Sequence, residues 1–135
     1  MSLKNSNASK KTHKFLLNKL KDRRTLKIYK KFESELAINK NFIVAVSGGP
    51  DSLALSFLSK IYSIKKSLDA KYFIVDHGLR KNSTTEAKNV QKKLKNFSIK
   101  LNILTWRGLK PKKNIQSIAR EKRYELLCDR AKKNR

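Results

Sequence analysis

The sequence predicts an α/β fold in which a parallel β-sheet is flanked by helices. Two short apolar runs carry this prediction, one over Phe42–Val46 and one over Tyr72–Val75. Continuous apolar runs of this length are typical of strands that are buried on both faces. Each run is followed by a short loop and then by apolar residues at helical spacing. Repeated alternation of strand and helix implies right-handed crossovers between parallel strands.

A helix is predicted over His13–Ile38, ahead of the first strand. Its apolar residues form an imperfect helical stripe among lysines, made of Phe15, Leu16, Leu20, Ile28, Tyr29, Phe32 and Leu36. Residues 1–12 consist mainly of Ser, Asn and Lys. They are expected to form a flexible basic arm, so that the folded domain spans residues 13–135.

The second strand leads into a loop, Asp76–Lys81, and then into a helix predicted over Ser83–Asn96. Ser83 and Glu86 have the spacing of a capping box at the start of that helix. A third strand is predicted over Ile99–Thr105.

The closing helix is predicted over Asn114–Lys133, and four apolar residues are expected to face inward: Ile118, Tyr124, Leu126 and Leu127. Three strands make a small sheet for this architecture, and the sequence stops where a fourth strand would be due. We therefore expect a domain that is truncated after three strands and incomplete at its C-terminal end.

The charge of the chain predicts an acidic partner. The 135 residues include 34 Lys and Arg against 10 Asp and Glu, which gives a formal net charge of +24. Nucleotides, RNA, DNA and anionic lipid surfaces all attract such a protein, although a general preference for lysine would account for part of the excess.

Neither a membrane span nor a disulfide framework is indicated. The apolar runs are far shorter than the roughly 20 residues that a membrane helix needs. Cys128 is the only cysteine, so it forms neither an internal disulfide nor a multi-cysteine metal site. We expect a cytoplasmic protein.

The loop after the first strand gives the strongest chemical signal, and it consists of Ser47, Gly48, Gly49, Pro50, Asp51 and Ser52. Its two glycines let a ligand approach the backbone closely, and its proline suits a first helical turn. Free N–H groups at the helix start, with two hydroxyl groups beside them, would form an anion cradle. A carboxylate at position 51 fits that cradle if Mg²⁺ bridges it to phosphate or if it caps backbone N–H groups. The alternative is a glycine-rich turn with an ordinary N-cap.

The sequence contains neither G-x-x-x-x-G-K-[ST] nor G-x-G-x-x-G at this loop. Residues 47–52 instead resemble the SGGxDS pyrophosphate loop (PP-loop) of the N-type ATP pyrophosphatases. In that family the loop holds the pyrophosphate portion of ATP while a substrate is adenylated.

Two further segments narrow the resemblance. Residues 75–83 read VDHGLRKNS and look like the VDHGLR segment of the tRNA(Ile)-lysidine synthetases, although a His-Gly pair after a strand is also common in simple turns. The last segment resembles the N-x-Q-x-x-A-R-x-x-R-Y helix of the same family, through Asn114, Gln116, Ala119, Arg120, Arg123 and Tyr124. Without the other motifs, its arginines would be read as solvated charges.

This resemblance implies a Rossmann-like fold of the adenine nucleotide alpha hydrolase-like type. It also implies a reaction: ATP adenylates the C2 oxygen of the wobble cytidine of tRNA(Ile) with a CAU anticodon, and L-lysine displaces AMP to give lysidine. When the roles known for the family are applied to the matching positions of this sequence, the resemblance implies that Asp76 and His77 border the nucleotide. The ATP-binding residues that it implies are Ser47, Gly48, Gly49, Pro50, Asp51 and Ser52. The implied catalytic residues are Asp51, Arg120 and Arg123, with Mg²⁺ near Asp51.

The sequence also departs from the family. Its members continue into a strand with paired histidines, an HxxDDQ-like segment and tRNA-binding C-terminal domains, whereas the histidines here are His13 and His77. We therefore expect a fragment or a truncated gene product with weak or absent lysidine formation on its own. One alternative is another PP-loop tRNA-modifying enzyme of the thiolase type, which the single Cys128 disfavours. The other is a non-catalytic basic RNA-binding remnant.

Overall fold

The computed structural model describes residues 3–133, with side chains from Ser9 onward. The elements in chain order are α1 (Leu3–Asn18), a 3₁₀ turn (Lys19–Lys21), α2 (Arg23–Glu35), β1 (Phe42–Val46), α3 (Pro50–Lys66), β2 (Ala70–Asp76), α4 (Ser83–Lys95), β3 (Leu101–Thr105) and α5 (Ile115–Lys133).

The three strands form one parallel sheet in the order β1-β2-β3. Val46 pairs with Ile74, and Ile74 pairs with Ile103, so the strands run in register toward a shared C-terminal edge. The predicted α/β fold with a parallel sheet and flanking helices is confirmed. Because β2 is central, all three loops that follow the strands begin at the same edge.

The two faces of the sheet are covered unequally. On one face α3 and α4 pack against the sheet, and Val44, Tyr72 and Leu101 lie in the main buried cluster. On the other face α5 covers Phe73 and Leu104 through Leu127. That cover is partial, because Ala45 of β1 is exposed, and the expectation that β1 is buried on both faces was wrong at this position.

The N-terminal region differs from the prediction in where its helices begin and end. The single helix predicted over His13–Ile38 is two helices, because the Asp22 carboxylate accepts hydrogen bonds from the backbone N–H of Thr25 at 2.8 Å and from its hydroxyl at 2.9 Å. This N-cap starts a new helix. Residues 3–12, for which the sequence predicts a flexible basic arm, belong to helix α1, and no glycine or proline interrupts the chain before Gly48. Met1 and Ser2 lie outside the described residues.

The predicted capping box at α4 was wrong. Asn82 is the N-cap and makes no side-chain capping hydrogen bond. Ser83 lies in the first turn and donates its hydroxyl proton to Asp76 at 2.8 Å, while Glu86 accepts from Arg80 at 2.8 Å. Both side chains are used by the preceding loop.

The inward face of α5 was predicted correctly only in part. Leu127 is buried and Leu126 is partly buried against the sheet, whereas Ile118 and Tyr124 are exposed. Ala119 is buried instead.

Among residues 3–133, no helix combines the length and the apolar character that a membrane crossing requires.

Candidate functional site

The C-terminal edge of the sheet brings together two loops that are far apart in sequence. The glycine loop, residues 47–52, leaves β1, and the histidine loop, residues 77–82, leaves β2. The chain after β3 lies at the same edge, since the Trp106 N–H donates to the carbonyl of Asp76, the last residue of β2, at 2.9 Å. Open α/β sheets bind ligands at this edge.

The glycine loop is held close to α4. Gly48 has a φ of +93°, and a Cβ placed on it would lie 2.9 Å from Cγ2 of Val90. Gly49 is the N-cap of α3, and Pro50 occupies the first turn. The sequence therefore needs a glycine at position 48 both for its backbone angle and for its contact with α4.

Ser52 closes the glycine loop on itself. The Gly48 N–H donates to the Ser52 hydroxyl oxygen at 2.9 Å, and that hydroxyl donates to the Gly49 carbonyl at 3.0 Å. The Ser52 proton is thus directed at the chain, and not at a ligand as we expected. The N–H groups of Asp51 and Ser52 lie in the first turn of α3, where helix geometry leaves them without an acceptor within the helix. With the helix dipole they make the loop attractive to an anion.

Asp51 is exposed in the first turn of α3. It lines neither of the two cavities described below. Residues 9–133 contain no group of three or more His, Cys, Asp or Glu side chains that could hold a metal ion. A Mg²⁺ ion at this carboxylate would need phosphate and water oxygens for its other positions, which is usual for Mg²⁺ bound with nucleotides.

Asp76 organises the histidine loop. Its carboxylate is buried and accepts hydrogen bonds from the hydroxyls of Ser83 at 2.8 Å and Thr84 at 2.6 Å, and from the Gly78 N–H at 3.1 Å. Burial raises the pKa of this carboxyl, but the hydrogen bonds from Thr84 and Ser83 outweigh it and hold the pKa below its ordinary value. An ionised Asp76 therefore fixes the start of α4 to the end of β2.

His77 lies beside Asp76, partly buried. Burial lowers its pKa below the ordinary value of 6.5, and the nearby cations Arg123 and Arg80 lower it further. A lowered pKa favours the neutral ring at pH 7, and the Nδ1 atom accepts the Leu79 N–H at 3.4 Å. This contact favours the tautomer with its proton on Nε2, which leaves a donor available for a ligand.

Two cavities open at this edge. The larger, about 1010 Å³, lies between the sheet and α5, and the smaller, about 430 Å³, lies between the glycine loop and α4. They share four lining residues, Ser47, Val75, His77 and Arg80. Small-molecule sites usually have volumes of about 300–1,000 Å³, so each of the two adjoining cavities has a volume that suits a small ligand.

The larger cavity receives both predicted arginines from α5. Arg120 and Arg123 line it, and Arg120 lies 5.8 Å from the ring centroid of the neighbouring Tyr124. The partly buried Gly48 and Gly49, the buried Asp76 and the partly buried His77 border the smaller cavity. The structure thus gathers the glycine loop, the histidine loop and the α5 arginines around two adjoining cavities, whereas Pro50, Asp51 and Ser52 remain outside the lining.

Several residues of this site were missed from the sequence. Arg80 lines both cavities, and Ser83 and Thr84 hold Asp76. The hydroxyl groups of Ser83 and Thr84 could have been predicted from Asp76, because a carboxylate buried at the end of a strand requires hydrogen-bond donors nearby. Tyr124 was expected to pack inward, but its ring lines the larger cavity.

A parallel sheet whose first strand runs into a glycine-serine anion cradle defines a class of nucleotide-binding α/β proteins. A protein-family model described as a PP-loop domain matches residues 17–135. The chain belongs to the PP-loop domain family, and the Rossmann-type, adenine nucleotide alpha hydrolase-like fold implied by the sequence is confirmed.

Relatives with established names support a narrower assignment. The chain is 37% identical over 105 residues to the tRNA(Ile)-lysidine synthase of Bradyrhizobium diazoefficiens, covering 76% of this chain and 29% of that protein. It is 43% identical over 96 residues to the enzyme of the same name from Bartonella henselae, covering 70% of this chain and 20% of that protein. The chain thus spans less than a third of the length of these relatives, and the resemblance to lysidine synthetases drawn from the motifs is confirmed.

Proposed function

We propose that this chain is the ATP-binding part of a tRNA-modifying ligase of the lysidine synthetase type. The observation that carries the proposal is that the glycine loop, His77 and the α5 arginines lie around two adjoining cavities at one edge of the sheet. The similarity to named tRNA(Ile)-lysidine synthases supplies the substrate class. The proposed substrates are ATP, L-lysine and tRNA(Ile) with a CAU anticodon.

The reaction has two steps. The C2 oxygen of the wobble cytidine attacks the α-phosphorus of ATP, and pyrophosphate leaves. The amine of lysine then attacks C2, and AMP leaves with the oxygen while the amine gives up a proton. Charge accumulates on phosphate oxygens in the first step, so preorganised cations and N–H donors are the groups that accelerate it.

Each loop has a part in that chemistry. The N–H groups at the start of α3 bind the pyrophosphate portion, and Gly48 keeps that approach free of side chains. Arg120 and Arg123 stabilise the charge that develops as the bond to pyrophosphate breaks. His77 borders the nucleotide as a neutral donor, and Asp76 holds the loop in place.

Mg²⁺ fits the charge distribution at the loop. Asp51 is an exposed carboxylate beside an anion cradle, where it would repel phosphate unless a cation lies between them. When bound, the ion would neutralise phosphate charge, and Asp51 would hold it directly or through water.

Calorimetric titration with Mg·ATP tests the proposal. Asp51→Ala is expected to weaken binding at least tenfold in the presence of Mg²⁺ and to change little when EDTA replaces the metal. Asp129→Ala removes the same charge from an exposed position on α5 and should leave affinity unchanged. Equal affinities in the parent and in both variants would contradict the proposal and would favour a basic RNA-binding protein with a vestigial loop.

A further inference from the structure

We propose that a basic groove along the free side of β3 binds the phosphodiester backbone of RNA, at a place separate from the candidate ATP site. The groove has a volume of about 950 Å³ and runs between α4, β3 and α5. Four cationic side chains line it: Lys92, Lys95, Lys100 and Arg130. The choice of RNA as the polyanion rests on the proposed function, whereas the groove itself does not.

Among the described residues, no acidic side chain pairs with the three lysines of the groove. Its lining contains no Asp or Glu, and Lys92, Lys95 and Lys100 form no ion pair with any residue among 9–133. All three are exposed. Exposed like charges repel one another weakly because water and salt screen them, and a polyanion that supplies the opposite charge would remove this repulsion.

The cations are arranged to follow a chain of phosphates. Lys92 and Lys95 are three residues apart on one face of α4, which places their Cβ atoms about 5–6 Å apart. Lys100 lies just before β3 and also lines the groove. Arg130 lies on α5, at the opposite face of the sheet, and its guanidinium lies 6.0 Å from the Phe73 ring centroid. Cations that flank the β3 edge from both faces suit an extended phosphodiester better than a single small anion.

The floor of the groove adds neutral hydrogen-bonding groups and apolar surface. Asn102 and Gln91 lie there with their side-chain amides tied to the backbone, at 3.1 Å from Tyr72 O and 2.8 Å from Leu101 O. Each amide keeps a carbonyl oxygen that can accept from a ribose hydroxyl. These fixed amides make the groove a preformed surface.

The position of the groove fits a substrate that also reaches the ATP site. Helix α4 begins at Ser83, beside Asp76, and ends at Lys95 in the groove. With a rise of about 1.5 Å per residue, these two points lie about 18 Å apart along the helix. An RNA strand held in the groove would therefore be fixed within a few nucleotides of the reacting base, and the groove would act by positioning.

A competing explanation is that lysines protect the free edge of β3 from pairing with other strands. The test compares two variants of equal charge, measured by fluorescence anisotropy with a labelled tRNA(Ile) transcript across a salt series. One carries Lys92→Gln, Lys95→Gln and Lys100→Gln, and the control carries Lys27→Gln, Lys30→Gln and Lys31→Gln on the exposed side of α2.

The groove variant is expected to lose at least tenfold in affinity near 0.1 M salt, with the slope of log K against log salt reduced by about 2–3, since each phosphate contact contributes about 0.7–0.9. The α2 control should lose less than threefold in tRNA affinity, and Mg·ATP affinity should stay unchanged in both.

A single Lys95→Glu variant gives the same answer if the triple variant folds poorly. Equal losses of tRNA affinity in both triple variants would overturn the inference, as would a parent chain that does not bind tRNA. The same holds if the groove variant loses binding to anionic lipid vesicles but keeps its affinity for tRNA. If the groove variant alone loses tRNA affinity but Asp51→Ala does not weaken Mg·ATP binding, the result would count against the proposed function and not against the groove.

Discussion

A Cβ atom on Gly48 would lie 2.9 Å from Cγ2 of Val90, a buried side chain on α4. The glycine loop therefore packs against the helix that the histidine loop leads into. Because Ser52 also closes the loop through Gly48, the conformation of the anion cradle depends on both neighbouring helices.

Gly48→Ala is expected to destabilise the fold by roughly 1–3 kcal/mol, since it adds backbone strain at positive φ and a clash with Val90. It should also weaken Mg·ATP binding, because relief of the clash moves the loop. Urea unfolding gives the first quantity and calorimetric titration the second.

Gly108→Ala is the matched control for this change. Gly108 has a φ of +113°, and a Cβ there would meet no atom within 4 Å, so it reports backbone strain alone. The combined Gly48→Ala and Val90→Ala variant should be more stable than the sum of the single effects predicts. If Gly48→Ala and Gly108→Ala lower the free energy of unfolding equally, and Val90→Ala does not offset the effect at position 48, the close approach of Gly48 to Val90 is unimportant for stability.

Asp76→Asn is expected to lower the free energy of unfolding at pH 7 by roughly 1.5–3 kcal/mol, because the hydroxyls of Ser83 and Thr84 lose a charged acceptor. The pKa of Asp76 is lower in the folded state than its ordinary value of 3.8. Its stabilisation is therefore fully present above about pH 4 and is lost as the pH falls through the folded-state pKa. The gap between the parent and the variant should close in that range in urea unfolding from pH 7 to pH 2.

Asp129→Asn, at an exposed position on α5, should show no such convergence. An Asp76→Asn variant whose deficit stays constant from pH 7 to pH 2 would contradict an ionised, hydrogen-bonded Asp76.

Arg123→Gln is expected to raise the pKa of His77, since the Arg123 charge is one of the two that lower it after burial. Arg120→Gln is the matched control, because Arg120 is not among the causes of that shift and lies against Tyr124. Proton NMR titration resolves the effect, as His13 and His77 are the histidines of the chain. An equal rise of the His77 pKa in both variants would contradict a specific effect of Arg123 on His77.

The strands were easier to predict than the hydrogen bonds that organise the site. The bounds of β1 follow from its apolar run, since burial leaves few alternatives for such a segment. Asp22 was missed as a helix start because its neighbours continue a helical pattern, and only the contact with Thr25 shows the break. The local spacing of Ser83 and Glu86 suggested a cap, but the end of β2 brings Asp76 to Ser83 and gives its hydroxyl a charged acceptor.

The candidate site was predictable as a set of motifs and not as a geometry. The sequence indicated which loops belong together, because parallel strands end at one edge. It could not indicate that Ser52 turns its hydroxyl inward or that Arg80 reaches both cavities. Those facts depend on how α3, α4 and α5 pack against the sheet.

Backbone amide NMR during titration with Mg·ATP tests the central claim, that the two loops and α5 form one nucleotide site. The resonances of Gly48, Gly49, His77 and Arg123 should shift together along one saturating curve, while that of Lys95 in the basic groove should stay in place. Shifts scattered over the lysine-rich surface, without saturation and removed by 0.2 M salt, would contradict a single site and leave only nonspecific attraction of an anion to a basic protein.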